Sequence, residues 1–192
     1  MDKLTKEQRH RCMAAIRGKD TKPEITVRKF LFSRGFRYRL NHPRLPGHPD
    51  IVMRKYRTCI FVNGCFWHGH KGCSKFVMPK TRTEFWANKI ARNQERDLVN
   101  IQRLESIGWS ALTVWECELS KSDIENTVEK IESMLAENRT KWKEYQAHRR
   151  ESRKFAIEQA RRRREINAII EAELNERFGI PEKIRRLSRI DE

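Results

Sequence analysis

No stretch of the 192-residue chain approaches the roughly 20 consecutive apolar residues that a membrane span needs. The N-terminal MDKLTKEQRHRC lacks the apolar core of a secretory signal, and no internal repeat is visible. Acidic residues are in deficit, 26 Asp and Glu against 42 Lys and Arg, for a net charge of +16. These absences exclude a membrane-spanning protein and a repeat array, and we expect a cytoplasmic protein with reduced thiols. Five cysteines, an odd number, then favour metal binding or burial over a disulfide framework. What is present is one domain's worth of core, with 38% hydrophobic content including five Trp and nine Phe. The positive surplus calls for a polyanionic partner, nucleic acid first and a membrane surface second.

Taken in order, residues 5–17 read as a short basic helix. Thr21-Lys22-Pro23-Glu24 opens a second, because Thr21 can cap, Pro23 suits a first turn and Glu24 completes a capping box. That helix carries Ile25, Val27, Phe30 and Leu31 and ends near Gly35. Phe36–Leu40 alternates apolar and basic residues as a half-buried strand does. Asn41–Pro49 is a loop with three prolines. Asp50–Met53 and Thr58–Val62 predict a hairpin turning at Arg54–Arg57. A long amphipathic helix is expected from Thr81 to about Ser106, with Phe85, Trp86, Ile90, Leu98, Ile101 and Leu104 as its apolar positions. Gly108 stops it, WSALTVWE is a strand, and Ser120–Asp123 caps a helix to about Glu137. From Asn138 aliphatics thin out, and a separate charged helix is expected to Gly179-Ile180-Pro181, followed by a short basic segment. The order αα-β-ββ-α-β-α predicts an α/β (α+β) fold, a mixed sheet flanked by helices on both faces. The domain division is expected at residue 137, with 138–192 a basic, mostly helical extension.

The chemistry concentrates in Cys59–Cys73, CIFVNGCFWHGHKGC. Cys65, His70 and Cys73 have spacing that suits a tetrahedral zinc ion, with Cys117 available as fourth donor if its strand lies beside Thr58–Val62. The alternative is unconnected core cysteines, the reading adopted for Cys12 and Cys59. Asp50 at a strand edge can bind Mg²⁺, and His68 in the neighbouring loop can deprotonate a water, although an Asp after Pro also suits a turn and a loop His also suits the surface. Glu24 is explained by its cap, although a helix start can also aim an acid into a cleft. Phe66 and Trp67 stand between ligands, where folding alone gives large aromatics little to do, and such residues can unstack bases. Trp86 joins them or belongs to the core. Arg17, Lys19 and Arg82, beside helix ends, are expected to meet phosphates.

These residues, in this order, resemble the very short patch repair (Vsr) DNA mismatch endonucleases. The resemblance runs from about Arg11 to Leu119 through MAAIRGKDTKPE, LPGHPDIV, the CFWHGH block with Cys73, TRTEFWANKIARNQERD and GWSALTVWECEL. It implies a PD-(D/E)xK restriction-endonuclease-like fold with structural Zn²⁺ held by Cys65, His70, Cys73 and Cys117. It further implies Mg²⁺-dependent nicking of duplex DNA 5′ of the thymine in a T·G mismatch, the product of 5-methylcytosine deamination. By position, Asp50 and the Val62 carbonyl become the Mg²⁺ ligands, His68 the general base and Glu24 an acid near the leaving group. Phe66, Trp67 and Trp86 become the intercalating wedge. Asn63 stands where some members carry a second active-site histidine, so it joins the catalytic candidates as a departure.

The expected partner is therefore double-stranded DNA bearing a T·G mismatch, with mismatch-repair proteins as further candidates and the chain acting as a monomer, associated with the nucleoid when on DNA. Two alternatives stay open: a nuclease of this fold with another target, such as a restriction or mobile-element enzyme, and a zinc-containing DNA-binding module that has lost turnover.

Overall fold

The computed structural model describes residues 5–15 and 18–179, apart from the side chains of residues 6, 9, 12 and 13. The Cys12 side chain, Arg17 and the segment from Ile180 therefore lie outside what is described. The elements are α1 (Lys6–Ala14), α2 (Lys22–Ser33), β1 (Arg39–Leu40), β2 (Ile51–Met53), β3 (Thr58–Asn63), α3 (Thr83–Ser106), β4 (Ser110–Trp115) and α4 (Ile124–Phe178). The chain divides into two compact units, Met1–Trp142 and Lys143–Glu192.

The four strands lie in the order β1-β2-β3-β4, antiparallel at the first two junctions and parallel between β3 and β4. A parallel pair needs a crossover, and the Cys/His loop plus α3 supply it. Alternation along the strands sends residues to both faces. Ile51, Met53, Ile60 and Val114 pack with Val27 and Leu31 of α2 and Ile131 and Leu135 of α4. On the other face Val52 and Cys59 pack with Leu104 of α3 and Trp109. The predicted fold class, a mixed sheet covered on both sides, is thus the observed one.

Local expectations differ in four places. The first strand shortens to Arg39–Leu40, because its register sets Phe36 and Arg37 opposite the 3₁₀ turn Arg54–Tyr56, which has no ladder to offer. Phe36 and Tyr38 still pack on the core, and the Tyr38 hydroxyl donates to the Arg28 carbonyl at 2.8 Å. In α3, Ile90 and Leu104 are buried but Phe85 and Leu98 are exposed, so the apolar stripe is shorter than its pattern. Its N-cap, Arg82, has φ +51° and no side-chain capping bond. The helix predicted to stop near Glu137 belongs to one element reaching Phe178, because the change in composition at Asn138 brings no Gly or Pro before Gly179.

The start of α2 matches its pattern. Thr21 Oγ1 accepts from the Glu24 N–H at 3.5 Å, and the Glu24 carboxylate returns to the Thr21 N–H at 3.4 Å. The β2–β3 turn is closed by Arg57, left-handed at φ +49°. Its guanidinium donates to the Ile107 and Gly108 carbonyls at 2.7 and 3.1 Å and lies over the Trp109 and Trp142 rings. That contact holds the hairpin to the end of α3.

Candidate active site and metal centre

A cleft of about 980 Å³ opens beyond the C-terminal end of β3, where the antiparallel β2 begins. Of the predicted residues it gathers Lys19, Glu24, Asp50, Val62, Asn63, Trp67 and His68. Unpredicted Asp97, Asn100, Lys89 and Arg96 come from α3. Such crevices at the ends of parallel strands are the usual ligand sites of open sheets.

Asp50 is half-buried at the head of β2, and its Oδ2 accepts from the Val62 N–H at 2.8 Å. Burial pushes its carboxyl up from 3.8 to about 6; the Val62 hydrogen bond opposes this, and the nearby Glu24 charge adds to it. In an extended strand the N–H and C=O of one residue face the same edge, so the Val62 carbonyl also faces β2. The register sets Pro49 opposite Val62, and proline has no N–H to donate to that carbonyl. A carboxylate held out of water beside an undonated carbonyl is a donor pair that suits a small divalent cation.

Glu24 is buried, 4% exposed, and both its oxygens are engaged. Oε1 accepts from the Thr21 hydroxyl at 2.7 Å, while Oε2 accepts from the Asp20 N–H at 3.0 Å and from Arg28 at 2.7 Å. Arg28, buried beneath it, also pairs with Asp20. The carboxylate therefore faces the cleft as an acceptor tied into the helix start.

His68 Nδ1 is hydrogen-bonded to the Asp97 carboxylate. With Asp97 accepting from Nδ1–H, the ring is the tautomer whose Nε2 carries a lone pair. The loop holding His68 is clamped by α3: Asn93 Nδ2 donates to the Trp67 carbonyl at 2.8 Å, and Gln94 Nε2 donates to the His68 and Gly69 carbonyls at 3.1 and 3.2 Å. Gly69 has φ +60°, and a Cβ there would stand 2.6 Å from Ile90 Cγ2. The sequence reading missed Asn93, Gln94 and Asp97. Their signal is legible in retrospect, since they interrupt the α3 stripe between Ile90 and Leu104, where a helix that only packed would continue apolar.

Beside the cleft, Cys65, His70, Cys73 and Cys117 bring four donor atoms within 4.8 Å of one another. His70 Nδ1 lies 3.6 Å from Cys65 Sγ and 3.3 Å from Cys117 Sγ, and its ring stacks on Trp115 at 4.1 Å between centroids. Cys117 reaches the loop because β4 runs parallel to β3, Asn63 level with Trp115. Burial and the neighbouring thiols push the Cys117 thiol to about 12, and burial raises Cys65. Cys73 is instead lowered, because hydrogen bonds from the Lys75 N–H and the neighbouring thiols outweigh burial, and three sulfurs with one imidazole is a tetrahedral zinc composition whose charge a divalent cation would balance. Cys59 is fully buried in the sheet, as expected of a core cysteine.

Phe66, Trp67 and Trp86 form one aromatic cluster, with ring centroids 5.1 to 5.9 Å apart. Phe85, expected in the core, instead extends the cluster at 5.3 Å from Trp86. Two cations lie against these rings, Lys89 over Trp67, Phe85 and Trp86, and Arg82 over Phe85. A partly exposed stack edged by positive charge can take a base face and a phosphate together.

A family model described as DNA mismatch endonuclease Vsr matches residues 1–75. The chain is 51% identical over 123 residues to the type II nicking enzyme V.NmeAIP of Neisseria meningitidis serogroup A, an overlap of 64% of this chain and 87% of that protein. It is 46% identical over 119 residues to the type II nicking enzyme V.XorIIP of Xanthomonas oryzae, covering 62% and 87%. It is also 46% identical over 114 residues to the DNA mismatch endonuclease Vsr of Escherichia coli, covering 59% and 72%.

Proposed function

The chain belongs to the Vsr family of DNA endonucleases, and from that premise we propose that it nicks one strand of duplex DNA 5′ of the thymine in a T·G mismatch. The observation that supports the reading most is the His68–Asp97 pair facing Asp50 and Val62 across one cleft.

Asp50 and the Val62 carbonyl would hold Mg²⁺, which when bound supplies positive charge to the phosphodiester oxygens. His68 Nε2 takes the proton from the attacking water, and Asp97 fixes the tautomer and stabilises the imidazolium that forms. Glu24, with both oxygens engaged, keeps the start of α2 and Arg28 in place along the wall near the leaving group. Asn63 can hydrogen-bond the phosphodiester but moves no proton near neutral pH. Cys65, His70, Cys73 and Cys117 would hold a structural Zn²⁺ that ties the loop to the end of β4. Phe66, Trp67 and Trp86 wedge beside the mismatch, Lys89 following them, while Lys19 and Arg82 meet the backbone. Arg17 keeps the same proposed role from the sequence. We place the activity in the cytoplasm, on the nucleoid, with mismatch-repair proteins as candidate partners. We propose that a single chain suffices for the nicking.

A second reading keeps the nicking and changes the target, and it is favoured by the relatives named type II nicking enzymes. Incubation with Mg²⁺ and end-labelled duplexes carrying T·G, other mismatches or none separates the two. Nicking confined to the T·G duplex, 5′ of the thymine, is expected. Equal cutting of paired DNA would transfer the proposal to the second reading, and binding without cutting would make the chain a DNA-binding module.

A further inference from the structure

The last two turns of α4 and the residues before them have a symmetry of charge that the cleft does not use. Arg161–Arg164 form a basic block, Ile166, Ile169 and Ile170 an apolar centre, and Glu171, Glu173 and Glu176 an acidic block. The three isoleucines and Leu174 are 42 to 59% exposed. At 100° per residue Ile166, Ile169, Ile170 and Leu174 fall on one stripe, and Arg162, Arg163 and Glu173 lie within it. Arg161 and Arg162 pair with Glu165 and Glu158 of their own helix. Among the described residues, Arg163, Arg164, Glu171, Glu173 and Glu176 have no ion-pair partner.

We propose that this stripe is a self-association surface whose occupant is the same stripe of a second copy, packed antiparallel about a two-fold axis level with Ala168. In that register Ile166 lies against Ile170 of the partner subunit. Arg163 meets the partner's Glu173, and Leu174 is covered by the aliphatic stem of the partner's Arg162. Each contact occurs twice, as an isologous interface requires. A parallel pair in register would set arginine on arginine and glutamate on glutamate, so the charge order selects the antiparallel one. Duplex DNA fits the same stretch less well, because it would take the arginines but leave the isoleucines in water and repel the three glutamates.

Sedimentation equilibrium of the full chain from about 1 to 100 μM tests this. The mean mass should rise from 23.1 kDa towards twice that value. Ile169→Asp with Ile170→Asp should leave a single-chain species, while far-UV circular dichroism and mismatch nicking per chain stay unchanged. Arg163→Glu should weaken association by about tenfold, and adding Glu173→Arg should restore it, since the swap re-forms both pairs of the antiparallel register. A chain whose mass stays at 23.1 kDa throughout overturns the proposal. So does association that survives the isoleucine substitutions, or a charge swap that fails to rescue. A loss confined to DNA affinity would also overturn it and make the stretch a DNA-binding arm.

Discussion

His68 and Asp97 are joined by a hydrogen bond between imidazole Nδ1 and carboxylate Oδ2, although they lie 29 positions apart, one in a loop and the other in α3. The bond leaves Nε2 as the nitrogen with the lone pair, on a histidine that lines the same cleft as Asp50. Asp97→Asn would keep the size of the side chain but present an amide that stabilises no imidazolium. Nicking should fall by roughly 10²- to 10⁴-fold at saturating DNA, with the affinity for mismatched duplex nearly unchanged. Single-turnover assays paired with binding titrations separate these effects, and a variant with full kcat would remove Asp97 from the mechanism.

Asp50 should be a cost to the metal-free fold at neutral pH. Its folded-state value of about 6 lies above the ordinary 3.8, so its stabilising contribution is complete below about pH 4 and is lost as pH rises through 6. Asp50→Asn does not titrate. The metal-free variant should therefore exceed the parent by about 2–3 kcal/mol at pH 7–8 and match it near pH 4. Urea unfolding in chelator at several pH values measures the difference, and a gain independent of pH would contradict the assignment. The same substitution should abolish nicking.

Cys117→Ser removes one of four clustered donors. Zinc content should fall from about one per chain towards zero, with stability lower by roughly 2–4 kcal/mol, or about 5–15 °C in Tm. Cys59→Ser, in the buried sheet, should destabilise while leaving the zinc content intact. Elemental analysis of both variants distinguishes a ligand from a core thiol.

Gly69→Ala tests the clamp on the histidine loop. A methyl group at φ +60° would collide with Ile90 and Gln94, at a cost of about 1–3 kcal/mol. Because Gln94 also donates to the His68 carbonyl, displacement should reach the imidazole. A drop in kcat larger than the stability loss explains is the expected outcome, read from activity at temperatures well below Tm.

Trp67→Ala opens the aromatic cluster on which Lys89 lies. Loss of one stacking face should weaken binding to mismatched duplex by about 1–3 kcal/mol. Paired duplex, which offers no unstacked base, should be affected less. Fluorescence anisotropy on both duplexes reads the ratio, and an equal loss would assign Trp67 to packing.

The sequence by itself determined whatever depends on neighbours along the chain. The capping box of Thr21 and Glu24 closes within one turn, the β2–β3 hairpin is a local pairing, and Cys65, His70 and Cys73 share one short loop. Cys117 is legible as the fourth member of the Cys/His cluster because a strand must end beside β3 to deliver it, and the parallel register does so. Tertiary structure alone decided how α3 lies across that loop. A 24-residue helix presents a different face every few degrees of rotation, and its pattern shows which residues share a stripe but not what the stripe covers. Packing on Val52 and Cys59 through Leu104 sets that rotation. It brings Asp97 to His68, Asn93 and Gln94 to the loop carbonyls, and Lys89 to the aromatic cluster, leaving Leu98 in solvent. Polar partners so distant in sequence carry no spacing signal, because the contact is made by the fold and paid for by the burial of the helix's other residues.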